Sequence, residues 1–303
     1  MRQSLLNLIQ QAVVLQYKLP YNAGGVTIPR TVISTGKDAC FRQAGTNADI
    51  ANLIYNGIVE YAYNDIDIDP TQLDNLQIRA LLSKIKYNPD APDANQLAYG
   101  FHGEVMLHLI LDHFYKANKS IARGYMFSAL ENAETKGYDS YMMLEHRDVI
   151  YLMFGEAKFY IQGYKHSLDA IFENINKALS DDYLNRNFLA FENQYVNINP
   201  GSRIPAIIDE WRANPLIVNM AKCAQKYNMH FVYPMLVLFD DKANTYDELI
   251  LNVINYIQAK HEVVQPTLTL PHTLFFIFLP LGDSRAIKTQ VLEWINQQQP
   301  LMP

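Results

Sequence analysis

Apolar residues recur along this chain with two different periods, which predict where its helices and strands lie. A spacing near 3.6 residues is typical of helices with one buried face. It occurs over residues 47–63, 96–115, 164–179, 204–227, 246–259 and 284–296. Continuous or alternating apolar runs, typical of strands, occur over residues 124–130, 138–146, 149–160, 231–239 and 272–279. Strands that alternate with helices in this way indicate an α/β fold.

The strand predicted over residues 149–160 lies at the centre of the sheet. Its first half, Val149–Phe154, is apolar at every position, and a strand that is apolar on both faces is usually covered on both sides. Only Arg147 and Asp148 separate it from the strand before, so the two form a tight antiparallel hairpin. The predicted fold is therefore α/β, with a mixed central sheet flanked by helices.

The segment around residues 87–95 has the composition of a linker. Pro89 and Pro92 lie there among Asn and Asp residues, which favour turns and loops. We place the main boundary at this segment. The prediction is a smaller, mainly helical N-terminal region over residues 1–95, a candidate for partner docking, and a main domain over residues 96–303.

An acidic repeat before this linker invites a calcium-loop interpretation, which the sequence excludes. Asp65, Asp67 and Asp69 alternate as the ligands of such a loop do, but the loop needs Gly at its sixth position and Glu at its twelfth. Pro70 and Leu76 stand there instead. Asp69 is better explained as the N-cap of a helix that begins at Pro70.

Composition and charge narrow the class of protein. Of 303 residues, 49% are hydrophobic and 18% are charged, which excludes wholesale disorder and allows a large core. Two cysteines suggest a reducing compartment. Because no apolar run approaches the roughly 20 residues of a membrane span, we expect a cytoplasmic protein with no membrane partner. A net charge of −6 argues against a protein that coats nucleic acid by bulk charge.

Charged side chains interrupt the apolar hairpin at one end. Glu156 and Lys158 are two residues apart on the central strand, so their side chains point to the same face. Asp139 lies near the start of the preceding strand and falls opposite Glu156 if the hairpin has no bulge. Glu104, on the helix before the hairpin, is expected to reach the same point from the side.

Carboxylates that converge beside a lysine suit phosphodiester hydrolysis. Hard oxygen ligands in low number favour Mg²⁺ or Mn²⁺, with water and substrate phosphate completing the shell. Such a cation is a Lewis acid that lowers the pKa of water, and a lysine orients that water or stabilises negative charge. The spacing Asp-x(n)-Glu-x-Lys is typical of PD-(D/E)xK nucleases. Asp139, Glu156 and Glu104 are therefore candidate metal ligands and, with Lys158, candidate catalytic residues.

A structural interpretation of the same residues stays open. Glu156 and Lys158 can form an ion pair at the end of a strand, with Asp139 in a turn. Glu104 can be a solvated acid at the edge of an apolar helix face.

The residues around these positions resemble those of a known family. The resemblance is to the HamA family, the nuclease subunits of the Hachiman anti-phage defence system. It is clearest over residues 96–180. Four segments carry it. They are Phe101-His102-Gly103-Glu104, Ile121-Ala122-Arg123, Gly137-Tyr138-Asp139-Ser140 and Phe154-Gly155-Glu156-Ala157-Lys158-Phe159-Tyr160. The resemblance implies a PD-(D/E)xK-like effector deoxyribonuclease that a superfamily 2 helicase subunit (HamB-like) restrains until aberrant DNA is sensed. It maps Asp139, Glu156 and Lys158 onto the catalytic motif and Glu104 onto the helix-borne acid.

Candidate DNA contacts are polar side chains near this motif. They are Lys119, Arg123, Lys165, Tyr160 and Gln162. Phosphate contacts by basic side chains give affinity that does not depend on sequence, although such residues are often only solvated. Because the whole chain is acidic, we predict that it binds DNA weakly alone and depends on a partner to bring the substrate.

The predicted function is a metal-dependent DNA endonuclease that acts as the effector of an anti-phage complex with a helicase. One alternative is a catalytically inactive, nuclease-like subunit that assembles or regulates a helicase complex. The other is a stand-alone restriction-type or repair-type nuclease.

Overall fold

The computed structural model describes most of the chain, with gaps between ten segments. The described residues are 1–17, 40–119, 127–128, 133–134, 137–161, 163–189, 203–213, 220–240, 245–260 and 263–303. Their strands are β1 (Val13–Tyr17), β2 (Cys40–Gln43), β3 (Asn118–Lys119), β4 (Phe127–Ser128), β5 (Ala133–Glu134), β6 (Ser140–His146), β7 (Val149–Phe159), β8 (Met229–Asp240) and β9 (His272–Leu281). The predicted strand at 124–130 falls mostly outside the described residues.

The α-helices of these segments are α1 (Gln3–Ala12), α2 (Asn47–Ala62), α3 (Leu73–Arg79), α4 (Asp93–Leu97), α5 (Phe101–Tyr115), α6 (Tyr164–Ala178), α7 (Asp181–Leu189), α8 (Ile204–Ala213), α9 (Met220–Tyr227), α10 (Tyr246–Lys260) and α11 (Ser284–Gln297). Each helical segment predicted from the periodicity contains an α-helix, and α1 and α7 are additional helices that were not predicted. Short 3₁₀ turns span Asp65–Asp67 and Pro70–Gln72, and a π-helix spans Ala80–Ile85. In this part of the chain, no helix has both the length and the hydropathy that membrane crossing requires.

Seven of the described strands form one mixed sheet in the order β1-β2-β9-β8-β7-β6-β3. The central strands β7, β8 and β9 are parallel, and β2 is parallel to β9. β6 is antiparallel to β7, β3 is antiparallel to β6, and β1 is antiparallel to β2. This architecture confirms the predicted α/β class and the mixed central sheet.

Alternate residues of β7 point into two different cores. Met153, Ala157 and Phe159 belong to a core that also contains α2, α5 and α11. Leu152 and Phe154 belong to a second core, formed with α6 and α10. We call these two sides of the sheet the α5 face and the α6 face. The prediction that β7 is covered on both sides is therefore confirmed.

Segments from both sides of the predicted linker contribute to the same sheet and core. β2 lies beside β9, and α1, α2 and the C-terminal Leu301 pack into the core of the α5 face. Arg2 reinforces this contact, because its Nη1 donates to the carbonyl of Met302 at 2.5 Å while its Nε pairs with the buried Glu60 at 2.6 Å. The division at residue 95 stays a prediction.

Two details of the predicted elements change in the structure. The cap at Asp69 is confirmed, because its Oδ1 accepts a hydrogen bond from the Thr71 amide at 2.9 Å. The single helix predicted over residues 96–115 is wrong, because α4 ends at Leu97 and α5 begins at Phe101. The carbonyl of Leu97 accepts a hydrogen bond from Lys288 Nζ at 2.9 Å, which satisfies a group that a continuous helix would have paired internally.

Gly155 allows β7 and β8 to approach closely. The parallel register places it beside Pro234, between the recorded pairs Met153–Val232 and Glu156–Met235. A Cβ atom at Gly155 would lie within 3.0 Å of both the carbonyl oxygen and Cγ of Pro234. Proline is rare in central strands because it cannot donate to the ladder. Here the missing side chain of Gly155 makes room for it.

Lys288 is a buried cation that connects α11 to the end of β7. Its side chain is 3% exposed, and Nζ donates to the carbonyl of Phe159 at 2.6 Å as well as to Leu97. Nζ also lies 4.7 Å from the centre of the Phe159 ring. Burial lowers the pKa of the Lys288 ammonium to about 8.

Replacing Gly155 with Ala should destabilise the fold, because the new methyl group overlaps the backbone of Pro234. We expect a loss of about 3 kcal/mol in the free energy of unfolding, in the range of overpacked cores. Gly100→Ala is the matched control, because its Cβ would meet only the flexible carboxylate end of Glu104. It should cost less than about 1 kcal/mol. Equal losses in urea denaturation would contradict the role of the Gly155–Pro234 contact.

The buried Lys288 should make stability rise with pH between about 8 and 10.5. The pKa of Lys288 is about 8 in the folded chain, and in the unfolded chain it takes the ordinary lysine value of 10.5. The unfolded state therefore binds more protons between these two pH values. Between pH 8 and 10.5, the free energy of unfolding of the wild-type chain should rise by about 3 kcal/mol relative to that of Lys288→Met. Urea denaturation at several pH values measures this difference, in which other titrating groups cancel. A difference that does not change with pH would contradict the assignment.

Candidate active site

The hairpin of β6 and β7 brings Asp139 beside Glu156. The strands pair without a bulge from His146–Val149 to Ser140–Gly155. One step further, the Asp139 amide donates to the Gly155 carbonyl at 2.8 Å. The predicted register is confirmed as far as the Ser140–Gly155 pair, and beyond it the Asp139 amide bonds to the residue before Glu156.

A hydrogen bond to its carboxylate and a buried neighbouring residue hold Asp139 in position. Its Oδ2 accepts a hydrogen bond from the amide of Ala157 at 2.9 Å, between the two charged residues of β7. The preceding residue, Tyr138, is 2% exposed and donates from its hydroxyl to the Ala178 carbonyl at 2.6 Å. Tyr138 packs against Phe154 and Tyr233, so the aromatic core holds the backbone that carries Asp139.

Glu156 has two partners, one on each carboxylate oxygen. Oε1 forms an ion pair with Lys158 Nζ, and Oε2 accepts a hydrogen bond from the Tyr233 hydroxyl at 2.5 Å. The side chains of Glu156 and Lys158 are 16% and 20% exposed, so the pair lies at the edge of the α6 face rather than in bulk water. The carboxylate has little rotational freedom as a result.

The charges of this cluster favour a protonated lysine. Burial alone would lower the pKa of the Lys158 ammonium, but the negative charges of Glu156 and Asp139 outweigh burial, and its pKa is raised. Burial, with the charge of Glu156, raises the pKa of Tyr233 well above its usual value. At neutral pH Tyr233 is therefore a neutral donor and Lys158 is a cation.

Glu104 lies on a helix that packs against the other face of the sheet. Its neighbour Gly103 faces β7 at Ala157 and Phe159, where a Cβ atom would lie 3.3 and 3.2 Å from their Cβ atoms. These two residues alternate along the strand with Glu156 and Lys158. Glu104 Oε2 accepts a hydrogen bond from the Tyr61 hydroxyl. The structure thus brings Asp139, Glu156 and Lys158 together, while Glu104 lies on α5, the helix that packs on the α5 face.

The donor set suits a cation with few protein ligands. Among the described residues, no three His, Cys, Asp or Glu side chains gather as a metal centre would need. Asp139 and Glu156 nevertheless offer two carboxylates at one point. Two hard oxygen donors are enough for Mg²⁺ or Mn²⁺, which retain several water ligands and take others from a phosphate. The residues fit such a cation and do not form an all-protein cage.

The candidate DNA contacts are only partly described. Tyr160 is half-buried, packs its ring against His166 at 4.7 Å between ring centres, and adds to the raised pKa of Lys158. Lys165 is exposed at the start of α6, with Nζ 5.8 Å from the centre of the Tyr256 ring. The backbone of Lys119 pairs with Met142 of β6. Arg123 and Gln162 lie outside the described residues.

Tyr233 is the residue of this cluster that sequence reasoning missed. It lies 77 positions after Glu156 and joins it only through the parallel pairing of β7 and β8. A tyrosine within an otherwise apolar strand was the available signal, because a buried hydroxyl usually has a hydrogen-bond partner. The identity of that partner depends on register, which the sequence alone does not give.

Comparison with known proteins identifies the family of the chain. The HamA family model matches residues 33–295, which include β6, β7, β8 and β9. Comparisons with curated proteins and with solved structures give no match. Because the family model covers most of the 303 residues, the chain belongs to the HamA family of the two-component Hachiman anti-phage defence system.

Proposed function

We propose that this chain is a metal-dependent deoxyribonuclease, the effector of its defence system, that hydrolyses phosphodiester bonds of DNA. The observation that supports this most is the convergence of Asp139, Glu156 and Lys158 at the end of one hairpin. The cluster combines hard oxygen ligands with a cation at the edge of the fold, where a strand of DNA has access. Family membership supports the defence role.

Asp139 and Glu156 would hold Mg²⁺ or Mn²⁺ in this mechanism. When bound, the cation would polarise a phosphoryl oxygen of the substrate and lower the pKa of a water molecule. The carboxylates are already oriented by the Ala157 amide and the Tyr233 hydroxyl. Little reorganisation is therefore needed before reaction, which is how positioned groups lower a barrier. Glu104 is proposed as support for the cation or its water, from the α5 side.

Lys158 would act as a positive charge and not as a proton acceptor. Its raised pKa keeps it protonated at neutral pH. An ammonium beside the scissile phosphate orients the attacking water and stabilises the negative charge that develops on the phosphoryl oxygens. Lys158, which pairs with Glu156 in the free chain, would turn towards the phosphate of a bound substrate.

DNA would approach along the segment that follows Lys158. Tyr160 and Lys165 lie there, and we propose both as backbone contacts, together with Lys119, Arg123 and Gln162. With a net charge of −6, the chain repels DNA at long range. A superfamily 2 helicase subunit (HamB-like) as partner would deliver the substrate and restrain cleavage until it is needed.

Removing either charge of the Glu156–Lys158 pair should abolish cleavage. We expect Glu156→Gln and Lys158→Met each to lower the rate of Mg²⁺-dependent plasmid nicking by at least about a hundredfold. Glu173→Gln and Lys177→Met, at exposed positions of α6, are matched controls that should cleave normally. The assay uses the purified chain with and without its proposed helicase partner, and thermal unfolding verifies that each variant folds.

The outcomes of this assay separate the three functions. If wild type never nicks DNA under either condition, or if both site variants cleave normally, the catalytic proposal fails and an inactive regulatory subunit is favoured. Full activity of a chain that does not co-purify with the helicase would favour a stand-alone nuclease.

The hydroxyl of Tyr233 should affect cleavage because it holds the Glu156 carboxylate in position. Tyr233→Phe removes one hydrogen bond to a charged group, and we expect the cleavage rate to fall about tenfold. The half-saturating Mg²⁺ concentration should rise as well. Tyr55→Phe is the matched control, because this side chain is equally buried but lies in the core of the α5 face, where its hydroxyl donates to the Gln299 carbonyl. Equal effects of the two variants on Mg²⁺ dependence would show that the hydroxyl acts only on stability.

A further inference from the structure

A second concave site lies on the α5 face, away from the candidate active site. It is a cavity of about 650 Å³, formed by the C-terminal end of α5 and by β6, β7, β8 and β9. The three parallel strands contribute residues near their N-terminal ends. Tyr151 in this cavity and Glu156 are five residues apart on β7, about 16 Å along the strand. Their side chains point to opposite faces of the sheet, so the two sites are separate.

Aromatic rings form much of the cavity wall. The rings of Tyr151 and His230 are 5.7 Å apart between centres, and those of Tyr115 and Phe275 are 5.0 Å apart. Tyr151, His230 and Tyr115 are only partly buried, so ring surface remains exposed to the cavity. Such surfaces stack flat aromatic ligands, nucleic-acid bases among them.

His230 and Thr273 form a neutral hydrogen-bonding pair in the wall of the cavity. His230 Nε2 and Thr273 Oγ1 are 2.8 Å apart. Burial, together with the charge of His272, lowers the pKa of His230, so its imidazole is neutral at pH 7. A neutral imidazole and a hydroxyl can each donate or accept a hydrogen bond. This chemistry matches the polar edge of a heterocyclic base.

The rim of the cavity is basic in a chain that is acidic overall. Lys116 and His146 are exposed among the lining residues. The described residues that line the cavity include no Asp or Glu, although the chain carries a net charge of −6. A local basic rim of this kind favours an anionic group on the ligand.

We propose that this cavity binds a nucleotide, with its base against the Tyr151 and Tyr115 rings and its phosphate at Lys116. The volume lies within the range of about 300–1,000 Å³ that is usual for small-ligand sites. The same chemistry is present in a free mononucleotide and in the terminal nucleotide of a strand. The site does not depend on the proposed nuclease activity.

Isothermal titration calorimetry of the full chain tests this proposal, with two sets of probes. The first set is the four nucleoside 5′-monophosphates, and the second is a short oligonucleotide with a 5′-phosphate. Binding of a monophosphate at low millimolar concentration or tighter supports a free nucleotide as the ligand, and binding of the oligonucleotide alone supports a strand end. Adenosine and ribose 5-phosphate, which each lack one half of the ligand, should bind at least about tenfold more weakly.

Substitutions in the cavity test whether the nucleotide binds there. Lys116→Asn should weaken binding about fivefold and reduce its salt dependence, and Tyr151→Leu should weaken it about tenfold. Lys86→Asn is the matched control for Lys116→Asn. Both lysines are exposed, follow directly after a helix and have a left-handed backbone, with φ 59° at Lys86 and 54° at Lys116. Lys86→Asn should bind as wild type does, as should Glu156→Gln.

Three results would overturn the proposal. They are no binding of any probe, equal binding of ribose 5-phosphate and the monophosphates, and binding that Lys116→Asn and Tyr151→Leu leave unchanged. Loss of binding in Glu156→Gln would assign it to the candidate active site instead. Because Glu156→Gln abolishes cleavage in the proposed mechanism and spares this cavity, failure of one proposal is distinguishable from failure of the other.

Discussion

The candidate active site depends on one backbone constraint, the unbroken antiparallel register of β6 on β7. The regular pairs end at Ser140–Gly155, and the Asp139 amide also donates to the Gly155 carbonyl. A shift of one residue would turn Asp139 to the other face of the sheet, because side chains alternate with a period of two. Register, more than any side-chain contact, therefore decides whether Asp139 and Glu156 lie together.

That register is reinforced from the opposite side of β7. Pro234 of β8 presses against Gly155, and its missing N–H interrupts the parallel ladder where the charged residues begin. Before this point β7 is apolar on both faces, and after it the strand carries Glu156 and Lys158. The interruption coincides with the change from core to site. Lys288 then holds the Phe159 carbonyl from the α5 side, so the charged segment is fixed at both of its ends.

Local sequence patterns predicted the hairpin and its charged end. The apolar run from Val149 and the short Arg147-Asp148 connection define an antiparallel pair without reference to the rest of the chain. The position of Tyr233 could not be predicted in this way. Parallel strands are joined by long crossovers, and their register follows from packing across the whole sheet. The position of Glu104 depends on packing in the same way, here that of α5 against Ala157 and Phe159 of β7.

The electrostatics of the cluster favour a site that takes up a cation over a purely structural ion pair. An ion pair at 16% and 20% exposure contributes little net stability, because desolvation offsets much of the attraction. Here one cation faces two carboxylates, and a neutral tyrosine hydroxyl donates to one of them. The cluster has a net charge of −1 and holds its acids in place with neutral donors. A divalent cation would balance this excess negative charge. A purely structural ion pair has equal charges and needs no further cation.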